Sequence, residues 1–175
     1  MSVTFTAPTL ETERLILRPP QASDFDAYAT FFASDRAKFV GGPIPRERSW
    51  RTLAQESGHW VLRGYGRWIV TEKGDDTAIG IIGLWYPEGF PENELGWDLF
   101  DGATGKGYAT EAGRAARHYA YETLGWTTLT SMIDPANTAS AAVATRLGAA
   151  YDYDYTHPHF GPVQIWRHPG PEARA

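Results

Sequence analysis

Apolar residues in this chain recur with two different periods, and the switches between those periods mark its elements. Leu15, Ile16 and Leu17 lie between Arg14 and Arg18, and Pro19-Pro20 ends the run, which predicts a short strand. Phe25, Tyr28, Phe31 and Phe32 follow Ser23 and Asp24 at helical spacing, so a capped helix is expected there. Gly41-Gly-Pro-Ile-Pro45 predicts a loop, and Arg46 to about Leu62 a second helix with Trp50, Leu53 and Trp60 on one face. Arg67–Glu72 and Ala78–Trp85 read as strands joined by turn residues Lys73–Thr77, hence a hairpin. A turn at 87–93 leads to a third antiparallel strand over Glu94–Phe100. From about Gly105 to Leu124 a helix would carry Ala109, Ala112, Ala116 and Tyr119 along one side, a small face suited to close packing on a sheet. Trp126–Ile133 is β-rich and lies beyond that helical crossover, so it is expected to run parallel to the strand at Glu94. Asn137 can cap a short helix ending at Gly148, and Tyr151 to about Arg167 reads as two strands around His157-Pro-His-Phe-Gly-Pro162.

This order predicts an α+β single domain over residues 1–175, with a short flexible tail from about 169. Its sheet would be mixed, mostly antiparallel and twisted, with six to seven strands flanked by helices. A parallel pair within such a sheet makes a place where neighbouring strands can splay, and ligands favour clefts of that kind. Composition agrees with a globular domain: 175 residues, 42% hydrophobic and 14% aromatic. The formal net charge of -5 gives no reason to expect a nucleic-acid partner. The absence of cysteine excludes thiolate metal sites and a cysteine nucleophile. The start carries no basic segment followed by a long apolar run, and no stretch reaches membrane-spanning length, so the expectation is a cytoplasmic protein without membrane contact.

The most informative stretch is Leu95 to Ala112, which reads as strand, glycine-rich turn and helix, with Gly105 and Gly107 flanking Lys106 at the helix start. Unpaired N–H groups and the helix dipole make such a start attractive to phosphate, and glycine lets phosphate approach. A nucleotide-triphosphatase loop would need Ser or Thr after Lys106 and glycine in place of Phe100, so it does not fit. A dinucleotide fingerprint would need a first parallel strand, whereas three antiparallel ones precede this turn. A coenzyme A pyrophosphate agrees with element order, glycine placement and helix composition; a glycine present only for close packing is the competing reading.

Glu94-Leu-Gly-Trp-Asp-Leu, Gly105-Lys-Gly-Tyr-Ala-Thr-Glu-Ala112, Asn137-Thr-Ala-Ser140 and Arg146-Leu-Gly148 together resemble the GNAT superfamily of N-acetyltransferases. The opening Leu10-Glu-Thr-Glu-Arg-Leu-Ile-Leu-Arg-Pro19 is similar to its RimJ/RimL branch. The resemblance implies a GNAT-like fold with splayed central parallel strands. It implies acetyl-CoA as cosubstrate, no metal, and a small-molecule amine or protein N-terminal amine as acceptor; a homodimer is compatible with it. It further implies that the main chain of Trp97, Asp98 and Leu99 pairs with the pantetheine arm, and that the Leu99 N–H serves as oxyanion donor. Thr104, Gly105, Lys106, Gly107, Tyr108, Ala109 and Thr110 would surround the pyrophosphate, with Lys106 a screening charge. Asn137 is a helix cap and, by resemblance, a partner for a pantetheine amide. The superfamily prefers Arg or Gln at Gly102, often Trp or Gln at Thr104 in this branch, and commonly a tyrosine acid at Ala144. With that tyrosine missing, Ser140, one turn beyond Asn137, becomes the candidate proton donor. Direct amine attack through a tetrahedral intermediate is the implied chemistry, and an acyl-CoA-binding sensor without turnover is the alternative.

For the base, Glu94 opens the strand that enters the cleft. An α-amine with a pKa near 8 needs only about 1.4 kcal/mol to be neutral at pH 7, a lysine amine about 4.6 kcal/mol, so a water-relayed carboxylate suffices for the former. By resemblance the final strands line the acceptor side, which adds His157, His159 and Asp154 as candidates. His157 and His159 lack a third ligand for a metal. Trp85 and Tyr86, beside a glycine-proline loop, are expected at the acceptor pocket.

Overall fold

The computed structural model describes residues 7–174, so the first six residues, and the expectation drawn from the chain start, lie outside it. Eight strands form one sheet: β1 Leu10–Glu11, β2 Leu15–Arg18, β3 Arg67–Glu72, β4 Asp75–Trp85, β5 Glu94–Leu99, β6 Thr130–Ile133, β7 Ala150–His157 and β8 Gly161–Arg167. Their order across the sheet is β1-β2-β3-β4-β5-β6-β8-β7, and β5–β6 is the parallel pair. Helices α1 (Phe25–Ala33) and α2 (Arg46–Arg63) separate β2 from β3, α3 (Tyr108–His118) makes the crossover from β5 to β6, and α4 (Thr138–Arg146) precedes β7.

The expected architecture is therefore present, with local differences. The extra strand β1 is two residues long, too short to display any period. The turn between β3 and β4 is confined to Lys73 and Gly74; Asp75, Asp76 and Thr77 already pair as strand but are exposed, so their polarity mimics a turn. The helix from Tyr108 stays α-helical only to His118, and Tyr119–Thr123 widens into a π turn. Strand β6 starts at Thr130 rather than Trp126, whose N–H is still held by the Ala120 carbonyl of the preceding turn. At the C-terminal end, the Tyr121 hydroxyl donates to the Pro169 carbonyl and Pro171–Arg174 forms a 3-10 turn.

Two apolar layers sandwich the sheet. Against α3 lie Leu15, Leu17, Trp68, Val70, Ile82, Leu84 and Leu95, met by Ala109, Ala112 and Ala116. Against α1 and α2 lie Ile69, Ile81 and Phe100 with Tyr28, Phe31, Phe32 and Leu53. Each fully buried Leu or Ile contributes roughly 1.5–3 kcal/mol. The alanine face lets α3 sit close to the sheet, which fixes the helix start beside the end of β5.

Candidate active site

The site begins where β5 and β6 part. Their ladder has a single register pair, Glu94 with Thr130. Beyond it, two main-chain groups would lose their partners, and side chains replace them. The Ser131 hydroxyl donates to the Leu95 carbonyl at 2.6 Å, and Glu94 Oε1 accepts the Met132 N–H at 3.2 Å. Ser131 Oγ also lies 2.9 Å from Nε2 of buried His168.

Which main-chain groups of β5 face the gap follows from its register with β4. The Phe100 N–H donates to Ile79, so by antiparallel alternation Asp98 and Gly96 also bond β4, while Leu95, Trp97 and Leu99 point toward the gap. Of the three residues expected to offer this edge, Trp97 and Leu99 present main chain to the gap, where the Leu99 carbonyl accepts from Arg36 at 3.1 Å. Asp98 instead directs its carboxylate to Arg67 on the α1–α2 face, at 2.7 Å.

Two spaces meet at this gap. A groove of ≈ 590 Å³ runs past Leu99, Thr104, Ala109, Asn137, Ala139 and Val143. A smaller cavity of ≈ 140 Å³ is lined by Arg67, Trp85, Phe90, Glu94, Met132 and Phe160, among others. Trp97, Asp98, Asn137 and Ser140 border both. Asn137 caps α4 by accepting the Ser140 N–H at 3.1 Å. The Trp97 indole donates to Ser140 Oγ at 3.1 Å, which leaves the serine's own proton available to another acceptor. Ala144 is fully buried against Ile133 and Ala149, so α4 offers no tyrosine hydroxyl there.

Gly102, Gly105 and Gly107 all have left-handed φ, +78°, +78° and +80°. Cβ atoms at Gly102 or Gly105 would meet nothing within 4 Å, so space for a ligand lies over this turn. Tyr108, Ala109 and Thr110 head α3, so their N–H groups have no intrahelical partner. Arg14 braces the turn: Nη1 donates to the Lys106 carbonyl at 2.9 Å, and Nη2 pairs with Glu111 at 2.6 Å. Lys106 leans toward Glu72, 3.7 Å away. This cradle and the strand edge suit a diphosphate joined to a peptide-like arm.

Electrostatically, the small cavity is acidic. Burial pushes the Glu94 carboxyl up to about 7, against the opposing Met132 N–H and the Arg67 charge. Beneath the cavity, Arg67 is shared by Glu56, which is fully buried, and Asp98. Burial outweighs Arg67 and leaves both carboxyls above their ordinary values. Burial pulls the guanidinium down, but the two carboxylates dominate and hold it well above its ordinary value.

Trp85 lines the cavity, and buried His59 stacks on it at 4.5 Å. His59 donates from Nδ1 to the Tyr65 carbonyl and accepts the Tyr86 N–H at Nε2, so it is neutral with a fixed tautomer. Tyr86 packs under Arg63 rather than lining the cavity. His157 and His159 do not line it either. His157 Nδ1 accepts the amides of His159 and Phe160 and so holds the β7–β8 turn, while His159 and Asp154 are exposed. Arg67, Ser131, His59, Arg14 and the Trp97 indole were not singled out from sequence. Arg67 alone carried a signal, a charge opening an otherwise apolar strand. Among the described residues, no three His, Asp or Glu side chains converge as a metal site, and no helix is long and apolar enough to cross a membrane.

The profile of the acetyltransferase (GNAT) domain matches residues 14–150, and the chain belongs to that family. It is similar to the crystal structure of an acetyltransferase from Agrobacterium tumefaciens, with 39% identity over 96% of this chain and 98% of that one and a TM-score of 0.86. It is 28% identical to the uncharacterized N-acetyltransferase p20 of Bacillus licheniformis over 83% of this chain and 87% of that protein. A RimL ribosomal L7/L12 alpha-N-protein acetyltransferase shares the fold, with a TM-score of 0.76 at 16% identity, covering 93% of this chain and 94% of that one.

Proposed function

We propose that this chain is an N-acetyltransferase of RimJ/RimL-like architecture that moves the acetyl group of acetyl-CoA to a primary amine by direct attack. The observation that carries the proposal is the continuity of three features: the glycine cradle at the head of α3, the edge of β5 and an acidic cavity beyond it. Acetyl-CoA supplies the activated thioester. The amides from Gly105 to Thr110 hold its diphosphate, and Trp97 and Leu99 pair with its pantetheine arm. The Leu99 N–H donates to the carbonyl oxygen, which gains charge as the amine attacks. Glu94, its carboxyl lifted to about 7, takes in its ionised form the proton released by the amine, directly or through water. Ser140, its oxygen already occupied by the Trp97 indole, donates a hydrogen bond to the departing sulfur and passes it a proton that the hydroxyl regains from water, while Glu94 returns its proton to solvent, so both side chains end as they began.

The test is release of free coenzyme A, followed with a thiol-reactive dye, from acetyl-CoA and a library of amines. Amine-dependent thiol release is expected. Gly105→Glu, which projects a carboxylate into the cradle, should weaken acetyl-CoA binding at least tenfold by calorimetry. Tight binding with no turnover on any amine would replace the transferase by an acyl-CoA sensor, a reading that buried Ala144 favours.

A further inference from the structure

The acceptor cavity has a roof. Phe39 and Val40, between α1 and α2, line it from one side; Phe90 and Phe160 line it from the other. The two sides come close: a Cβ added at Gly41 would reach van der Waals contact with the Phe160 ring, at 3.5 Å, so the gap between them is narrower than a side chain. Gly41 has φ +97°, a conformation that favours glycine and keeps this approach free of a side chain. Phe160 is also fixed from below. Its N–H donates to Nδ1 of buried His157, whose ring packs 4.7 Å from Phe160 and 4.9 Å from Phe90. A polypeptide leaving the cavity on this side would have to widen the gap between Gly41 and Phe160.

Size and charge narrow the occupant further. The cavity holds ≈ 140 Å³ of space open to water. One water needs about 10–15 Å³ of such space, so the cavity suits a molecule of on the order of ten non-hydrogen atoms. Glu94, Asp98 and Asp134 line it. Arg67 is committed to Glu56 and Asp98 and does not stand ready for a carboxylate, and Lys38 is exposed at the lip. With Asp98 set against Arg67, Glu94 and Asp134 outnumber Lys38, so an ammonium is favoured there over an anion. The rest of the wall is largely aromatic and suits an apolar body.

We infer that the Gly41–Phe160 roof over an acidic, aromatic cavity selects a compact, carboxylate-free primary amine with an apolar body, and excludes protein N-termini. The inference rests on the transferase reading above. Phe160 is the residue that sets this specificity, and His157 positions it.

The test compares three acceptors on the full chain with acetyl-CoA and thiol detection: phenethylamine, phenylalanine and a hexapeptide with a free N-terminal serine. The kcat/KM for phenethylamine is expected to exceed each of the others at least tenfold. Phe160→Ala should raise the peptide-to-phenethylamine ratio of kcat/KM at least fivefold, with Phe160→Leu intermediate. Thermal melts of both variants should stay near the parent's, since this ring is already 38% exposed. Parity of the peptide with phenethylamine, or an unmoved ratio in Phe160→Ala, overturns the roof. Parity of phenylalanine overturns the exclusion of carboxylates. Turnover of other amines with phenethylamine silent overturns the substrate class and leaves the transferase standing, whereas no thiol from any amine removes both.

Discussion

Glu94 holds two positions at once. Its carboxylate stands in for a missing strand partner of Met132, and it lines the small cavity beside the gap. A base must be ionised to work, so kcat/KM should climb as pH rises through about 7, the value to which burial lifts this group. Glu94→Gln keeps an oxygen for Met132 but cannot take a proton, so a pH–rate series on that variant should lose this limb. A limb that persists unchanged would assign it to another group. The stability sign is opposite. A carboxyl whose folded pKa is raised disfavours the folded state once it ionises, so stability declines from about pH 4.5 to 7, and Glu94→Gln should melt higher than the parent at pH 8. The position of Glu94 at the cleft was legible because strand boundaries around it are sharp. The histidines misled because a loop imidazole looks the same in sequence whether it faces a ligand or, like His157, receives amides from its own turn.

The glycine turn and α3 were the most legible elements, since their periodicity and glycine spacing are local properties. What steadies them was not, because Arg14 and Glu111 are 97 residues apart and meet only through the fold. Arg14 is half exposed, so solvent screening keeps the contribution of its brace small. Arg14→Ala should therefore weaken acetyl-CoA binding about two- to fivefold in titration calorimetry, with kcat at saturating donor within about twofold. An unchanged dissociation constant would make the ion pair incidental. The π turn after His118 was equally hidden, since its residues read as an ordinary helix end and the widening depends on how the chain returns toward β6.

Across the whole molecule, α2, β3 and β5 are tied together beneath the cavity by Arg67, Glu56 and Asp98. Removing the shared cation strands two carboxylates in a poorly solvated place, a change that costs about 3–5 kcal/mol in comparable buried pairs. At roughly 2–4 °C per kcal/mol, Arg67→Met should lower the melting temperature by on the order of 10 °C. Adding Glu56→Gln and Asp98→Asn should restore part of it; no recovery in the triple variant would place the loss in packing instead. Single-domain α+β organisation could be read from element order, and the parting of β5 from β6 followed from the expected parallel pair. How that parting is maintained could not, because it uses side chains, Ser131 and Glu94, in place of main chain. Those two groups act as a wedge already driven in. For the acyl carrier proposed above, docking along this edge would require no unzipping of the sheet.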